Sequence, residues 1–150
     1  MLLTNHVLSG ALIGAVVRRP VPAFLLGVAS HFALDSVPHW GRVSRDRFLQ
    51  VAVADGLTAL AAMSAIIAAT PPHRRTAVTA AMLGAALPDA DKPSYLLFRR
   101  SPFPARVDRF HSRIQDESPG RYPVEVAAAT LFAATSAIAL WSTRRQRAVS

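Results

Sequence analysis

Residues 48–70 read FLQVAVADGLTALAAMSAIIAAT, an apolar run with Asp55 as its one charged residue. A bilayer span needs about 20 apolar residues, with roughly 17 as the lower end, and this stretch qualifies. Four more apolar segments accompany it, at residues 2–17, 21–37, 76–87 and 124–141. The last also reaches spanning length; the other three are marginal and suit short, tilted or partly inserted helices. Pro20, Pro22, Pro71, Pro72 and Pro123 mark the segment edges, because proline lacks an amide hydrogen and clashes inside a helix. Small residues recur within the runs, as Ser9-Gly10-Ala11, Gly14-Ala15, Gly27 to Ser30 and Gly84-Ala85-Ala86. They let helices approach closely in lipid. The expected fold is one all-α domain over residues 1–150, an integral membrane helical bundle of about four to five transmembrane or partly inserted helices. An Ala-rich soluble bundle is the alternative, and the two longest segments, with little polar face, speak against it.

Residues 92–122 differ in character. They hold Arg99, Arg100, Arg106, Arg109, Arg113 and Arg121 together with four prolines. The stretch reads as a long polar loop before the last helix, with one short helix near Val107–Gln115. Loops of this length in a compact domain are usually functional.

Composition narrows the chemistry. Of 150 residues, 51% are hydrophobic and 17% charged, more apolar than an ordinary soluble domain. The absence of cysteine excludes a disulfide framework and a thiolate metal site, so any metal must be held by His, Asp, Glu, Asn or backbone oxygen. The net charge of +8 punctuates apolar runs instead of forming one basic stripe. Arg18-Arg19, Arg74-Arg75 and Arg144-Arg145-Gln146-Arg147 each adjoin such a run, as membrane-flanking charges do. Bilayer phosphates, not nucleic acid, are the expected partner of this charge. The start of the chain is apolar from Leu2 without a basic flank or a clear cleavage site, and reads as a retained helix and not a signal peptide.

Against this apolar background the polar residues stand out. They are Asn5-His6, His31 with Asp35, His39-Trp40, Asp55, Asp89 with Asp91, and His111. Charged groups in apolar surroundings are costly unless they pair or bind a metal. His31 and Asp35 are four apart and share a helix face, so both can grip one ion. Pro38 ends that helix and frees His39 to turn back. Asp89 and Asp91 follow Pro88, where an irregular helix end can turn carboxylates toward a cation. If the segments cross alternately, His6, His31, Asp35, His39, Asp55, Asp89, Asp91 and His111 all map to one side. The expected metal ligands are His6, His31, Asp35, Asp89, Asp91 and His111. The ions expected are one or two divalent metals, Zn, Mn or Mg. His39 or Asp55 is the expected general acid or base. Arg109 and Arg113 are expected to hold phosphate, because guanidinium forks match its oxygens.

Taken together, His6 with Gly10 and Gly14, the His31-x-x-x-Asp35-x-x-Pro38-His39 block, Leu87-Pro88-Asp89-x-Asp91 and His111-Ser112 resemble the bacterial membrane-bound metal-dependent hydrolases of the YdjM/YbcI type. The likeness spans about residues 4–115. It implies a multi-pass protein of the bacterial inner membrane with a hydrolase activity. A more distant likeness to zinc phospholipase C and related phosphoesterases, which also use a His-x-x-x-Asp helix pair, implies a phosphate ester substrate.

The leading expectation is a membrane-embedded metal-dependent hydrolase acting on a phosphate ester of a lipid or prenyl substrate. The second is a metal-dependent prenyl diphosphate lyase or cyclase, which the low aromatic content, 7%, disfavours. The third is a non-enzymatic membrane protein that binds or conducts a divalent cation, which predicts ligands along a pore and not at one rim.

Overall fold

The computed structural model describes residues 1–148 and the side chains of residues 1–142; the side chains of the basic run at 144–147 lie outside the described residues. The described residues are mostly helical. Helices α1 (Leu3–Val16), α2 (Pro20–Asp35), α3 (Arg45–Ala69) and α4 (Pro72–Ala86) are followed by a 3-10 turn, Leu87–Ala90. Then come α5 (Asp91–Phe98), α6 (Ala105–Ile114) and α7 (Tyr122–Ala148). These bounds follow the five apolar segments closely. Proline occupies the first turn of α2, of α4 and of the 3-10 turn, where its missing amide hydrogen leaves no bond unmade.

The region 92–122 corrects the expectation of one long loop with a single short helix. It holds two helices, α5 and α6, and a short strand β2 (Glu117–Ser118) that pairs in parallel with β1 (His39–Trp40). Three of the four prolines there lie at helix starts, and Pro102 lies in a bend. Pro104 is the residue before α6 and Pro93 lies in the first turn of α5.

Close approach of backbones organises the centre. α4 packs against both α1 and α2. A side chain at Gly14 would collide with the backbone of Ala77 and Val78, and one at Gly84 with that of Phe24. The buried core is correspondingly small-grained, with Ala11, Ala15, Ala23, Ala77, Ala81 and Ala85 filled in by Val7, Val78 and Met82. α7 joins α1 through the Ser136 hydroxyl, which donates to the Leu8 carbonyl at 3.1 Å.

Helix α1 is capped by its neighbours. Its own N-terminal flank, Leu2, supplies no side-chain cap. Asp55 of α3 accepts from the Leu3 amide at 2.6 Å and the Thr4 amide at 3.2 Å. Glu125 of α7 accepts from the Leu2 amide at 3.1 Å. At the other end the buried Arg74 of α4 donates to the Ala15 carbonyl at 3.1 Å. Carboxylates at the N-terminus and a guanidinium at the C-terminus oppose the helix dipole and satisfy its orphan groups.

Two stretches, Arg45–Ala69 and Pro119–Ser142, are helical, long and apolar enough to cross a membrane. α1 and α2 are shorter apolar helices. α3 turns most of its apolar side chains outward; Val53, Leu57 and Leu60 are exposed, and Ala59 is its buried residue among those described.

Candidate metal centre

Two features of local structure create the site. The first is the end of α2. His31 and Asp35, one turn apart, project from the same face and are fully buried. The second is a clamp that brings in α6. The His39 amide donates to Asp116 at 2.9 Å, the Gly41 amide to Ser118 at 3.3 Å, and the Asp116 amide to Asp35 at 3.4 Å. These bonds tie the end of α6 to the end of α2 and carry His111 onto the Asp35 carboxylate. The 3-10 turn after α4 then delivers Asp89.

Four donor atoms converge: His31 Nε2, Asp35 Oδ2, His111 Nε2 and Asp89 Oδ1. His111 Nε2 lies 2.8 Å from Asp35 Oδ2 and 3.0 Å from His31 Nε2. His31 Nε2 lies 3.2 Å from Asp35 Oδ2, and both imidazoles lie 3.7 Å from Asp89 Oδ1. All four residues are buried, and their donor atoms fall within 4.8 Å of one another. Tetrahedral bonds of about 2.0–2.1 Å place neighbouring donors roughly 3.3–3.4 Å apart. Five of the six separations, 2.8–3.7 Å, bracket that edge, and the sixth, Asp35 to Asp89, lies within 4.8 Å. The cluster is thus able to hold a metal ion.

The tautomer of His31 sharpens the point. Its Nδ1 lies 2.7 Å from the Ala85 carbonyl. A carbonyl only accepts, so Nδ1 carries the proton, and Nε2 is the nitrogen whose lone pair a neutral ring offers to the cluster. Histidine metal ligands ordinarily donate their other nitrogen to a carbonyl or carboxylate in this way. Gln115, one turn after His111, donates to Asp35 Oδ2 at 3.2 Å and supports the carboxylate from outside.

Other expected ligands sit beside these four. His6 is buried, with its ring stacked on His31 at 3.9 Å and its Nε2 3.1 Å from Asp35 Oδ1. The Met1 nitrogen lies 2.5 Å from the same oxygen. Asp91 stands outside the converging set; its Oδ1 is buried and has no hydrogen-bond partner among the described residues. Burial raises the Asp91 carboxyl above its ordinary value, with Lys92 opposing and Asp89 adding to the shift.

The remaining expected site residues are placed elsewhere. Asp55 engages the start of α1, also accepting from the Thr4 hydroxyl at 2.6 Å. His39 is buried in β1, with its Nδ1 2.8 Å from the Val37 carbonyl. Arg109 and Arg113 are exposed on α6. Each is two positions from His111, so they project from the opposite side of the helix.

No family model matches the chain, and neither a curated protein nor a solved structure matches it.

The structure adds residues that sequence reasoning passed over. Lys92 Nζ lies 2.5 Å from Asp89 Oδ1 and brings a side-chain cation against the cluster, in addition to the Met1 nitrogen at Asp35. Burial alone would raise the Asp89 carboxyl, but Lys92, with His6 and His31, outweighs it and holds the group below its ordinary value. The i,i+3 spacing of Asp89 and Lys92 was the available signal. Glu125 is buried and accepts from the Asn5 amide group at 2.6 Å and the Trp40 backbone at 3.0 Å. A lone acid at the head of the apolar run 124–141 was its signal.

Proposed function

We propose that this protein is a membrane-embedded, metal-dependent hydrolase acting on a phosphate ester of a lipid or prenyl substrate. The observation that carries the reading is the buried convergence of His31 Nε2, Asp35 Oδ2, Asp89 Oδ1 and His111 Nε2, with His31 oriented by the Ala85 carbonyl. Lone pairs so close together repel unless a cation or proton lies among them. Two imidazoles and two carboxylates suit zinc or manganese, and a more oxygen-rich completion suits magnesium. The outward apolar faces of α3 and α7 support placement in a bilayer as a multi-pass bundle, with shorter α1, α2 and α4 packed behind them. The likeness to YdjM/YbcI-type inner-membrane hydrolases agrees with this reading.

A divalent ion bound by these four residues would supply Lewis-acid polarisation of a phosphoryl oxygen and acidify water for attack. The chain supplies the rest. Lys92 offers a positive charge to the phosphate beside Asp89. His6, with its Nε2 3.1 Å from Asp35 Oδ1, holds that carboxylate in orientation. Gln115 holds Asp35 in register, and burial of the cluster keeps bulk water from competing.

The test is direct. Purify the protein in detergent, strip it with chelator, and restore zinc, manganese or magnesium separately. Metal content and phosphate release from prenyl and glycerolipid phosphates are then measured. About one ion per chain and metal-dependent release are expected, both lost in His31→Ala and Asp35→Ala. Undiminished phosphate release in those variants would overturn the assignment.

A further inference from the structure

We propose that the groove between α3 and α5 is the binding site for a single hydrocarbon chain of a phosphate-headed amphiphile. The headgroup sits at Asp89 and Lys92, and the chain runs along α3 toward Leu60. This rests on the hydrolase reading and gives the apolar part of the substrate its place.

The groove has a volume of about 470 Å³. Trp40, Phe48, Ala52, Gly56, Leu60 and Leu96 contribute to its walls. Asp89 and Lys92 line it as well, and Asp89 also belongs to the metal cluster. The apolar slot is therefore continuous with the place where chemistry would occur, and a cation stands at the junction. From Phe48 to Leu60 is twelve residues of helix, roughly 18 Å at 1.5 Å per residue. Half of the bilayer's hydrocarbon core is about 15 Å. The α3 wall is thus about as long as one leaflet is deep, and Arg45 and Arg47 lie at the start of α3.

Gly56 is the floor. A side chain added there meets nothing within 4 Å, so the glycine leaves open space in the middle of α3, where its helix propensity is poor. Leu57 and Leu60, both more than 60% exposed, extend the apolar surface outward, which lets a chain enter sideways from lipid. Asp55 lines the groove as well. Three other hollows lack the combination of apolar slot and cation. One of about 380 Å³ at α1, α3 and α7 is lined by Asp55 and Glu125 and has no cation among its lining residues. One of about 360 Å³ along α3 and α7 has no charged lining residue. The third is the open surface of α6 around Arg109 and Arg113.

Trp40 provides the readout. The other tryptophan, Trp141, is removed as Trp141→Phe. The protein in detergent is titrated with a monoalkyl phosphate carrying a brominated chain of leaflet length. Saturable quenching of Trp40 fluorescence is expected. An unbrominated alkyl phosphate should reverse it; the alcohol of equal length should compete at least tenfold less well. Gly56→Leu and, independently, Ala52→Phe should weaken quenching at least tenfold while the metal content is retained. The same variants should lower the ratio of long-chain to soluble phosphate ester hydrolysis by a similar factor. Quenching unaffected by either substitution, or reversed equally by the alcohol, would overturn the proposal. Saturable, Gly56-dependent quenching without phosphate release from any ester would uphold the groove and remove the hydrolase reading.

Discussion

His31 of α2 donates its Nδ1 proton to the Ala85 carbonyl of α4 at 2.7 Å. That one bond fixes the imidazole's tautomer and links the helix–helix packing to the geometry of the site. Whatever separates α2 from α4 also turns His31 away from Asp35 and His111.

The first prediction concerns that packing. Gly84 lies so close to the Phe24 backbone that a side chain cannot be accommodated without movement. Gly84→Val should destabilise the protein by about 1–3 kcal/mol, the usual cost of overpacking, and should lower metal affinity although no ligand is changed. Thermal unfolding in detergent and metal titration read the two effects. A variant with lowered stability and native metal affinity would contradict the coupling.

A second prediction follows from the protons in the cluster. With His31 neutral its Nε2 is bare, and His111 supplies the proton between His111 Nε2 and Asp35 Oδ2, 2.8 Å apart. An ion needs that nitrogen's lone pair; a neutral His111 ring only moves the proton to Nδ1, whereas an imidazolium must release it, so binding weakens on acidification. Calorimetry in buffers of different ionisation enthalpy measures the release. Metal affinity that stays constant between roughly pH 5 and 8, where imidazoles titrate, would argue against histidine ligation.

Lys92 yields a third. Its ammonium holds the Asp89 carboxyl below its ordinary value against the opposing effect of burial. A depressed carboxylate contributes stability above its unfolded pKa and loses it as pH falls through the folded pKa. In Lys92→Gln the folded value rises, so acid unfolding should begin at higher pH. Removing a competing cation should also tighten metal binding, by about threefold to tenfold, while KM for phosphate esters rises. Looser metal binding in this variant would refute the competition.

Asp55 separates two roles in a fourth. As a cap on α1 it contributes about 1–2 kcal/mol, and Asp55→Ala should lower stability by that amount. Metal content should remain at the wild-type level, and residual activity at a permissive temperature should track the folded fraction. A collapse of kcat in fully folded Asp55→Ala would restore the acid–base role expected from sequence.

The sequence by itself located most of the helices and named His31, Asp35, Asp89 and His111 among its six expected ligands. Apolar runs and edge prolines located α1 to α4 and α7, because the spacing of apolar side chains and the loss of an amide hydrogen act locally. The four-residue interval of His31 and Asp35 likewise guarantees a shared face. Arginine and proline density in residues 92–122 hid α5, since proline is as compatible with the first turn of a helix as with a loop, while α6 (Ala105–Ile114) falls where one short helix was expected near Val107–Gln115.

Only the tertiary structure decided which polar groups meet. His111 reaches Asp35 through the β1–β2 clamp, Lys92 reaches Asp89 by one helical turn, and Asp55 and Glu125 are drawn to the exposed amides of α1. A buried carboxylate must find a cation, a metal or a cluster of N–H donors, and its own neighbours in sequence cannot say which of these another element will bring.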